Sequence, residues 1–559
     1  MWELSNFWTI HIVKFFKQSL VAGICSCIFI SYSLAFTIGH FPSNPSMIVK
    51  ERQLPTTSDD VNRPLIHYTP NYGWMNDPNG LFYDKKAAVW HMYYQYNPND
   101  TVWGLPLYWG HATSKDLSAW EDQVPAIGPD NDNDGIFSGS IVVDHNNTTG
   151  FFDDSIHPDQ RVVAIYTLHT SEKQTQDLAY SLDGGYTFTK YSGNPVLDVN
   201  STQFRDPKVF WHEPTNQWIM VLAKSQEFKI QIFGSIDLKS WSLHSNFSSG
   251  LYGFQYECPG LVEVPIENST ETKWVMFLAI NPGMPLGGSA NQYFVGHFDG
   301  FTFVPDDTQT RLQDWGKDYY AFQAFSDVPK EMGVLGLAWA SNWQYANKVP
   351  TSGWRSSMSV ARNHTLKNIA INPETKVLSL VQKPVLGSTV QKTNLIDQDF
   401  CIFGKNTLVN ATASQSGVFE IDFTFKVHKT TELQKTLELE IISNTKDGKT
   451  ESIRTGFDVD GGSFYVDRGI DNAFNKNPFF TDKTSAYVDP MEYDDSGLPI
   501  YKFYAIVDKN ILEVYLNDGA ATLTNTFFMS DGFTPESVVL SSTCSSTFEV
   551  KSEINELTI

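Results

Sequence analysis

The sequence predicts an all-β protein: a β-propeller of about five blades followed by a β-sandwich. Two observations carry the propeller. From residue 65 onward the chain is a succession of short runs rich in β-branched and aromatic residues, such as Trp90–Tyr96, Arg161–Thr167, Gln217–Ala223, Lys273–Ile280 and Val334–Ala340. Each is bounded by Gly, Pro, Asn or Asp, as strands are, and no long amphipathic helical run interrupts them. The second observation is a weak internal repeat. Ser-Lys-Asp-Leu-Ser-Ala-Trp at 114–120 recurs as Ser-Ile-Asp-Leu-Lys-Ser-Trp at 235–241, with Ser-Leu-Asp-Gly-Gly-Tyr at 181–186 between them and His-Phe-Asp-Gly-Phe at 297–301 beyond. Copies start 67, 54 and 62 residues apart, and a period of about sixty suits one four-stranded blade with generous loops. A third observation marks the sandwich. After Gln382 the stretch 383–400 is polar with one Pro and one Gly, and alternating strands such as Gly417–Val427, Leu437–Ile442 and Asn510–Leu516 follow, with few polar groups suited to chemistry.

The elements then run in order: a targeting segment at 1–40, a linker at 41–61, the propeller at 62–382, a second linker at 383–400 and the sandwich at 401–559. In the first segment Lys14 and Lys17 precede the apolar run Leu20–Phe36, and a stretch rich in Pro, Ser and Thr follows. That is the charge-then-apolar order of a secretory signal. The apolar run is close to membrane-spanning length, so a retained anchor is the second reading. Eight Asn-x-Ser/Thr sequons, at Asn99, Asn146, Asn147, Asn200, Asn246, Asn268, Asn363 and Asn410, agree with a glycosylated protein of the cell wall or periplasmic space.

Bulk properties narrow the function. A chain of 559 residues exceeds one ordinary core, so two domains are expected. The formal charge of −23 argues against nucleic acid or an anionic membrane as partner and favours a neutral ligand. Aromatic residues reach 14%, chiefly for core packing, with some free to stack on carbohydrate. Of five cysteines, Cys25 and Cys27 fall in the signal; Cys258, Cys401 and Cys544 lie far apart, allow at most one disulfide and leave Cys258 reduced. No paired Cys/His spacing suggests zinc, and neither metal nor organic cofactor is expected.

Three acidic residues sit in unusual surroundings. Asp77, in Trp74-Met-Asn-Asp77-Pro-Asn-Gly80, is either an Asx turn between strands or a carboxylate whose amide donors keep its pKa low, as a nucleophile requires. Asp206, in Phe204-Arg-Asp-Pro207, reads locally as half of a surface ion pair. Glu257, in Tyr256-Glu-Cys-Pro-Gly260, keeps poorly hydrated company, which raises a carboxyl pKa toward what a general acid needs. A structural role fits it equally well.

In this order the three motifs resemble the signature of glycoside hydrolase family 32, and especially its secreted yeast-type members. Gln95-Tyr-Asn-Pro98, Trp103-Gly104, Phe137-Ser-Gly-Ser140, Trp339-Ala-Ser-Asn-Trp343 and Trp354-Arg-Ser-Ser357 agree further. The resemblance runs from about residue 62 to the C-terminus. It implies five blades with the active site at their axis, and a β-fructofuranosidase releasing fructose from sucrose and short fructans. By the same resemblance Asp77 is the nucleophile, Glu257 the acid/base and Asp206 the transition-state stabiliser. Trp74, Met75, Asn76, Gln95, Trp103, Phe137, Ser138, Arg205, Asn281 and Trp343 match positions that bind substrate. The sandwich is expected to hold a homodimer or larger homo-oligomer, since its strands offer edges that need covering. Exo-inulinase or levanase activity on longer fructans is the alternative, and an inactive sugar-binding relative the alternative from another class. An arabinanase-like propeller shares the architecture but not the motif at 74–80.

Overall fold

The structure, a computed structural model, describes residues 62–559 except 251, 373, 403, 411–415, 429–434, 445–449, 470–472, 531–534 and 544–547. The expected signal and first linker, and Cys544, lie outside the described residues. No helix among the described residues is long and apolar enough to cross a membrane.

The β-branched and aromatic runs form five antiparallel sheets, each a propeller blade, and two further sheets that form the sandwich. Each blade begins with its inner strand: Gly73–Asp84, Gly135–Val143, Phe204–His212, Tyr256–Pro265 and Tyr320–Ala324. These five strands contact one another in cyclic order. A short parallel pairing, Gly73 with Trp354 and Trp74 with Arg355, ties the loop of blade five onto blade one. Gly73 is required there: its φ is 88°, and a Cβ would lie 2.5 Å from the Asn97 carbonyl oxygen.

The repeated Ser-x-Asp motif is the turn from the third to the fourth strand of blades one, two and three; in blade four Asp299 alone keeps the pattern. In blade one Ser114 Oγ accepts from the Leu117 amide at 2.9 Å, and Asp116 Oδ1 accepts from the Ser118 and Ala119 amides at 3.1 Å. Asp183 and Asp237 cap their turns in the same way. The repeat read from the sequence is therefore the blade repeat, held by side chains that replace missing backbone partners.

One apolar cluster fills each boundary between neighbouring blades, and burial of these surfaces is the main force closing the ring. The sandwich has a separate core built on Phe419, Phe423, Phe425, Phe457 and Phe464. The stretch read as the second linker is mostly strand. Gln391–Ile402 pairs along its length with Phe548–Thr558 as an edge of the sandwich, so only about 385–390 connects the domains. Its polar composition is that of an edge strand, which exposes one face to water.

The propeller and sandwich meet across buried charge. Arg362 of blade five, fully buried, donates to Asp314 at 3.0 Å and to Glu513 of the sandwich at 2.8 Å. His67 lies between Asp508 at 2.9 Å and Glu513 at 3.1 Å. Burial alone lowers a histidine pKa, but these two carboxylates reverse the effect and raise His67 to about 9.

Candidate active site

Every inner strand breaks register where it reaches the axis: between Met75 and Pro78, Phe137 and Gly139, Arg205 and Lys208, Glu257 and Gly260, and Tyr320 and Gln323. A bulge bends its strand and turns a side chain that would face a neighbouring blade toward the ligand. Asp206, Cys258 and Ala321 take positive φ at these bulges, at 68°, 43° and 54°. Such backbone is costly outside glycine and collects at functional sites. The bulges also explain Pro78, Pro207 and Pro259, which a regular inner strand would reject for want of an N–H.

Four of the five bulges contribute side chains to a cavity of about 380 Å³ lined by Asn76, Asp77, Gln95, Trp103, Phe137, Ser138, Arg205, Asp206, Glu257, Asn281 and Trp343 among others. All three acids and eight of the ten residues expected to bind substrate thus come together. Trp74 and Met75 do not line it. Both are fully buried in the cluster between blades one and five, and Trp74 acts from behind by donating its indole N–H to Asn76 Oδ1 at 2.7 Å. The bulge that begins after Met75 breaks the strand's alternation, so Trp74 and Met75 stay in the core while Asn76 and Asp77 both reach the cavity.

Asp77 Oδ2 accepts from Ser138 Oγ at 2.8 Å and meets Cys258 Sγ at 3.5 Å. Its other oxygen makes no hydrogen bond of good geometry. The expectation of a low pKa does not hold: burial, reinforced by the charge of Glu257, raises it against the pull of Asn76, Ser138 and Cys258. Asp206 Oδ2 accepts from the Cys258 amide at 2.9 Å, and the Asp206 amide donates to Thr167 Oγ1 at 3.1 Å. The Cys258 thiol is free. Glu257 is not in the dry company its neighbours in sequence suggested. Its Oε1 accepts from Arg205 at 2.9 and 3.2 Å and from Gln255 at 3.0 Å, and its Oε2 accepts from the Tyr320 hydroxyl. The Arg205 partner predicted locally is Asp206; the guanidinium instead reaches across to the next blade.

Sequence reading missed His169, Gln174, Gln203 and Gln255, which also line the cavity, and Tyr320. His169 stacks on Phe137 with ring centroids 4.3 Å apart, and Trp103 meets Phe137 edge-on at 6.3 Å. Gln203 accepts from Arg205 at 2.9 Å. Gln203 and Gln255 lie in loops whose composition resembles any surface turn, and Gln174 opens the strand Gln174–Ser181 without a motif around it. Tyr320 had a usable signal, since it opens the inner strand of the last blade.

Family models match nearly the whole described chain, the glycosyl hydrolases family 32 N-terminal domain over residues 67–384 and the family 32 C-terminal domain over 388–558. The chain belongs to glycoside hydrolase family 32. An extracellular exo-inulinase of Meyerozyma guilliermondii is 61% identical over 89% of this chain and 96% of its own length. An invertase of Debaryomyces hansenii is 60% identical over 88% of this chain and 92% of its own. A fructofuranosidase of Schwanniomyces occidentalis solved with fructose superposes with a TM-score of 0.87 at 57% identity, covering 90% of this chain and 99% of the other. The family member described here is a fructosyl-releasing hydrolase, a β-fructofuranosidase.

The buried cluster of this enzyme carries a stability cost. Burial, with Glu257 and Asp77 nearby, pushes Asp206 up to about 7 although Arg205 opposes the shift. An unfolded Asp titrates near 3.9, so the folded state holds this proton more tightly. Ionising Asp206 therefore costs nothing below about pH 4, and the cost grows to its full value above about pH 7. Asp206→Asn is expected to melt a few degrees above the wild type at pH 7.5 and level with it at pH 4, by calorimetry. An equal gain at both pH values would refute the charge argument.

Proposed function

We propose that this enzyme cleaves the terminal β-D-fructofuranosyl unit of sucrose and short fructans with retention of configuration. Asp77 is the nucleophile, Glu257 the acid/base and Asp206 the stabiliser of the charged transition state. One observation carries the reading: three carboxylates from three blades, Asp77, Asp206 and Glu257, meet in one cavity. The Asp77 carboxylate attacks the anomeric C2 of fructose while Glu257 protonates the leaving glucosyl oxygen. Water, deprotonated by Glu257, then releases fructose from the fructosyl-enzyme. Arg205 and Tyr320 fix the Glu257 carboxyl in place for both steps. Asp206 accepts from neighbouring hydroxyls, through bonds that strengthen as the ring flattens. Asn76, Gln95, Trp103, Phe137, Ser138, Asn281 and Trp343 shape the pocket around the sugar.

The fructose first released should be the β-anomer, as read by proton NMR within the first minutes of sucrose hydrolysis. Initial release of the α-anomer would contradict the two-step route. A hydroxyl competing with water for the fructosyl-enzyme gives transfructosylation as a side activity. The 61% identical exo-inulinase supports the second reading, a preference for longer fructans.

Secretion is supported by the signal-like segment and by the word extracellular in that relative's name. Exposure of the sequon residues Asn99, Asn146, Asn200, Asn246, Asn268 and Asn410 supports glycosylation and a cell-wall or periplasmic location. The sandwich edge strands support assembly into a homodimer or larger oligomer. A deglycosylated sample that scatters as a monomer at micromolar concentration would end that part of the proposal.

A further inference from the structure

Two of the residues lining the cavity, Asn281 and Trp343, stand on loops rather than on bulged inner strands. They follow the second strands of neighbouring blades, Thr272–Ile280 of blade four and Val334–Trp339 of blade five. Both loops are held by Lys317, a buried lysine that the chemistry above does not use. Its ammonium donates to the carbonyls of Leu286 at 2.7 Å and Gly287 at 2.5 Å, and to Gln344 Oε1 at 2.9 Å. Three donors thus meet three acceptors, two on the loop of Asn281 and one beside Trp343. Asn342, also buried, ties the same pieces together. Its side-chain amide donates to the carbonyls of Lys317 at 2.8 Å and Ser289 at 3.1 Å. The Trp343 amide donates to Ser289 Oγ at 3.2 Å. A Cβ on Gly288 would lie 2.3 Å from Asn342 Oδ1, so the two loops touch at glycine distance.

The segment that carries Lys317 is set in turn by the sandwich. The Trp315 and Asp318 amides donate to the carbonyls of Thr522 at 2.8 Å and Thr524 at 3.0 Å, on the sandwich strand Ala521–Thr526. The Lys317 amide donates to Asn525 Oδ1 at 3.2 Å. Asp318 forms a buried ion pair with Arg468 of the sandwich at 2.6 Å. Arg468 also donates to the Tyr345 hydroxyl at 3.1 Å, which itself donates to Asp318. The Tyr345 amide donates to the Asn342 carbonyl at 3.1 Å. Two routes therefore run from Arg468 to the cavity loops, one through Asp318 and Lys317, the other through Tyr345 and Asn342.

We propose that Arg468 and Lys317 are positioning residues, through which the sandwich sets where Asn281 and Trp343 stand and so how tightly the sugar is held. The proposal rests on the reading of Asn281 and Trp343 as substrate contacts. Hydrogen bonds and charge pairs in a dry interior fix their partners firmly, and a buried charge that loses its partner forces its surroundings to shift. The three carboxylates of the reaction are carried by inner strands with partners of their own. A shift of the two loops therefore loosens binding and spares the chemical step. Contacts of equal strength in ground and transition state raise KM alone when they are lost.

The test measures kcat and KM on sucrose, with melting curves, for wild type, Arg468→Met, Lys317→Met, their combination, Arg468→Lys, Tyr345→Phe and Trp343→Ala. Arg468→Met and Lys317→Met should each raise KM roughly five- to tenfold, with kcat within about twofold of wild type. Arg468→Lys restores the charge opposite Asp318 and should return KM to within about twofold of wild type. The combined variant should fall short of the product of the single effects, as coupled residues do. Tyr345→Phe keeps both charges and should raise KM about two- to threefold, which tests the link to the sandwich even where Arg468→Met does not fold. An unchanged KM in folded Lys317→Met, in folded Arg468→Met or in Tyr345→Phe overturns the proposal. So do KM effects that simply multiply, or a lower melting temperature with both kinetic constants intact, which would make the network a structural joint. Trp343→Ala separates this proposal from the reading beneath it. Unchanged KM there denies that Trp343 touches substrate, whereas raised KM there beside unchanged KM in Lys317→Met overturns the positioning role alone.

Discussion

Asp77→Ala should lose at least about 10³-fold in kcat on sucrose while keeping its circular dichroism spectrum and melting cooperatively. The expectation follows from how the residue is held. Ser138 and Cys258 engage one oxygen, so the carboxylate is held in one orientation at the cavity. Removing the side chain removes covalent catalysis and leaves only the binding contacts and Glu257. The fold should survive, because Asp77 is a poorly solvated carboxylate whose burial and neighbour Glu257 disfavour its charge. Losing it relieves repulsion rather than a structural ion pair. Turnover of sucrose near the wild-type rate in a folded Asp77→Ala would end the assignment.

Glu257→Ala should be nearly inactive on sucrose for a different reason. Sucrose has a poor leaving group that needs a proton, and the variant has none to give. A fructoside with an activated leaving group needs none, so its fructosyl-enzyme still forms and stalls at hydrolysis. Azide, small enough for the space vacated, should then attack and raise turnover, with fructosyl azide as product. An Asp77→Ala control should show no such rescue. Full activity of Glu257→Ala on sucrose, or a stalled variant that azide leaves untouched, would count against the acid/base role. The variant also strips a buried guanidinium, Arg205, of its carboxylate partner at 2.9 Å. Glu257→Gln is the better-folded companion.

Much of this enzyme could be read from its residues, for identifiable reasons. Runs such as Gln217–Ala223 and Val334–Ala340 lie within one residue of the strands Gln217–Lys224 and Val334–Trp339, because burial on both faces demands unbroken β-branched and aromatic sequence. The Ser-x-Asp turn was legible because its hydrogen bonds are local and so tie residue type to position. The strand Gln391–Ile402 was misread as a linker because an edge strand keeps polar residues. The family resemblance assigns Trp74 and Met75 to substrate with the rest of their motif, yet nothing in a motif says which side chains a bulge turns inward. The bulges had one visible trace. Asp77-Pro78, Asp206-Pro207 and Cys258-Pro259 each put proline inside a strongly strand-forming run. The link from Arg205 to Glu257 left no trace, because residues 52 positions apart become neighbours only when two blades dock.

The closing pair of Gly73 with Trp354 and Trp74 with Arg355 joins positions some 280 residues apart. Asp77 follows that seam by a few residues, while its hydroxyl donor comes from blade two and its thiol neighbour from blade four. No single blade carries all three carboxylates, so the cavity is whole only where the circle is shut.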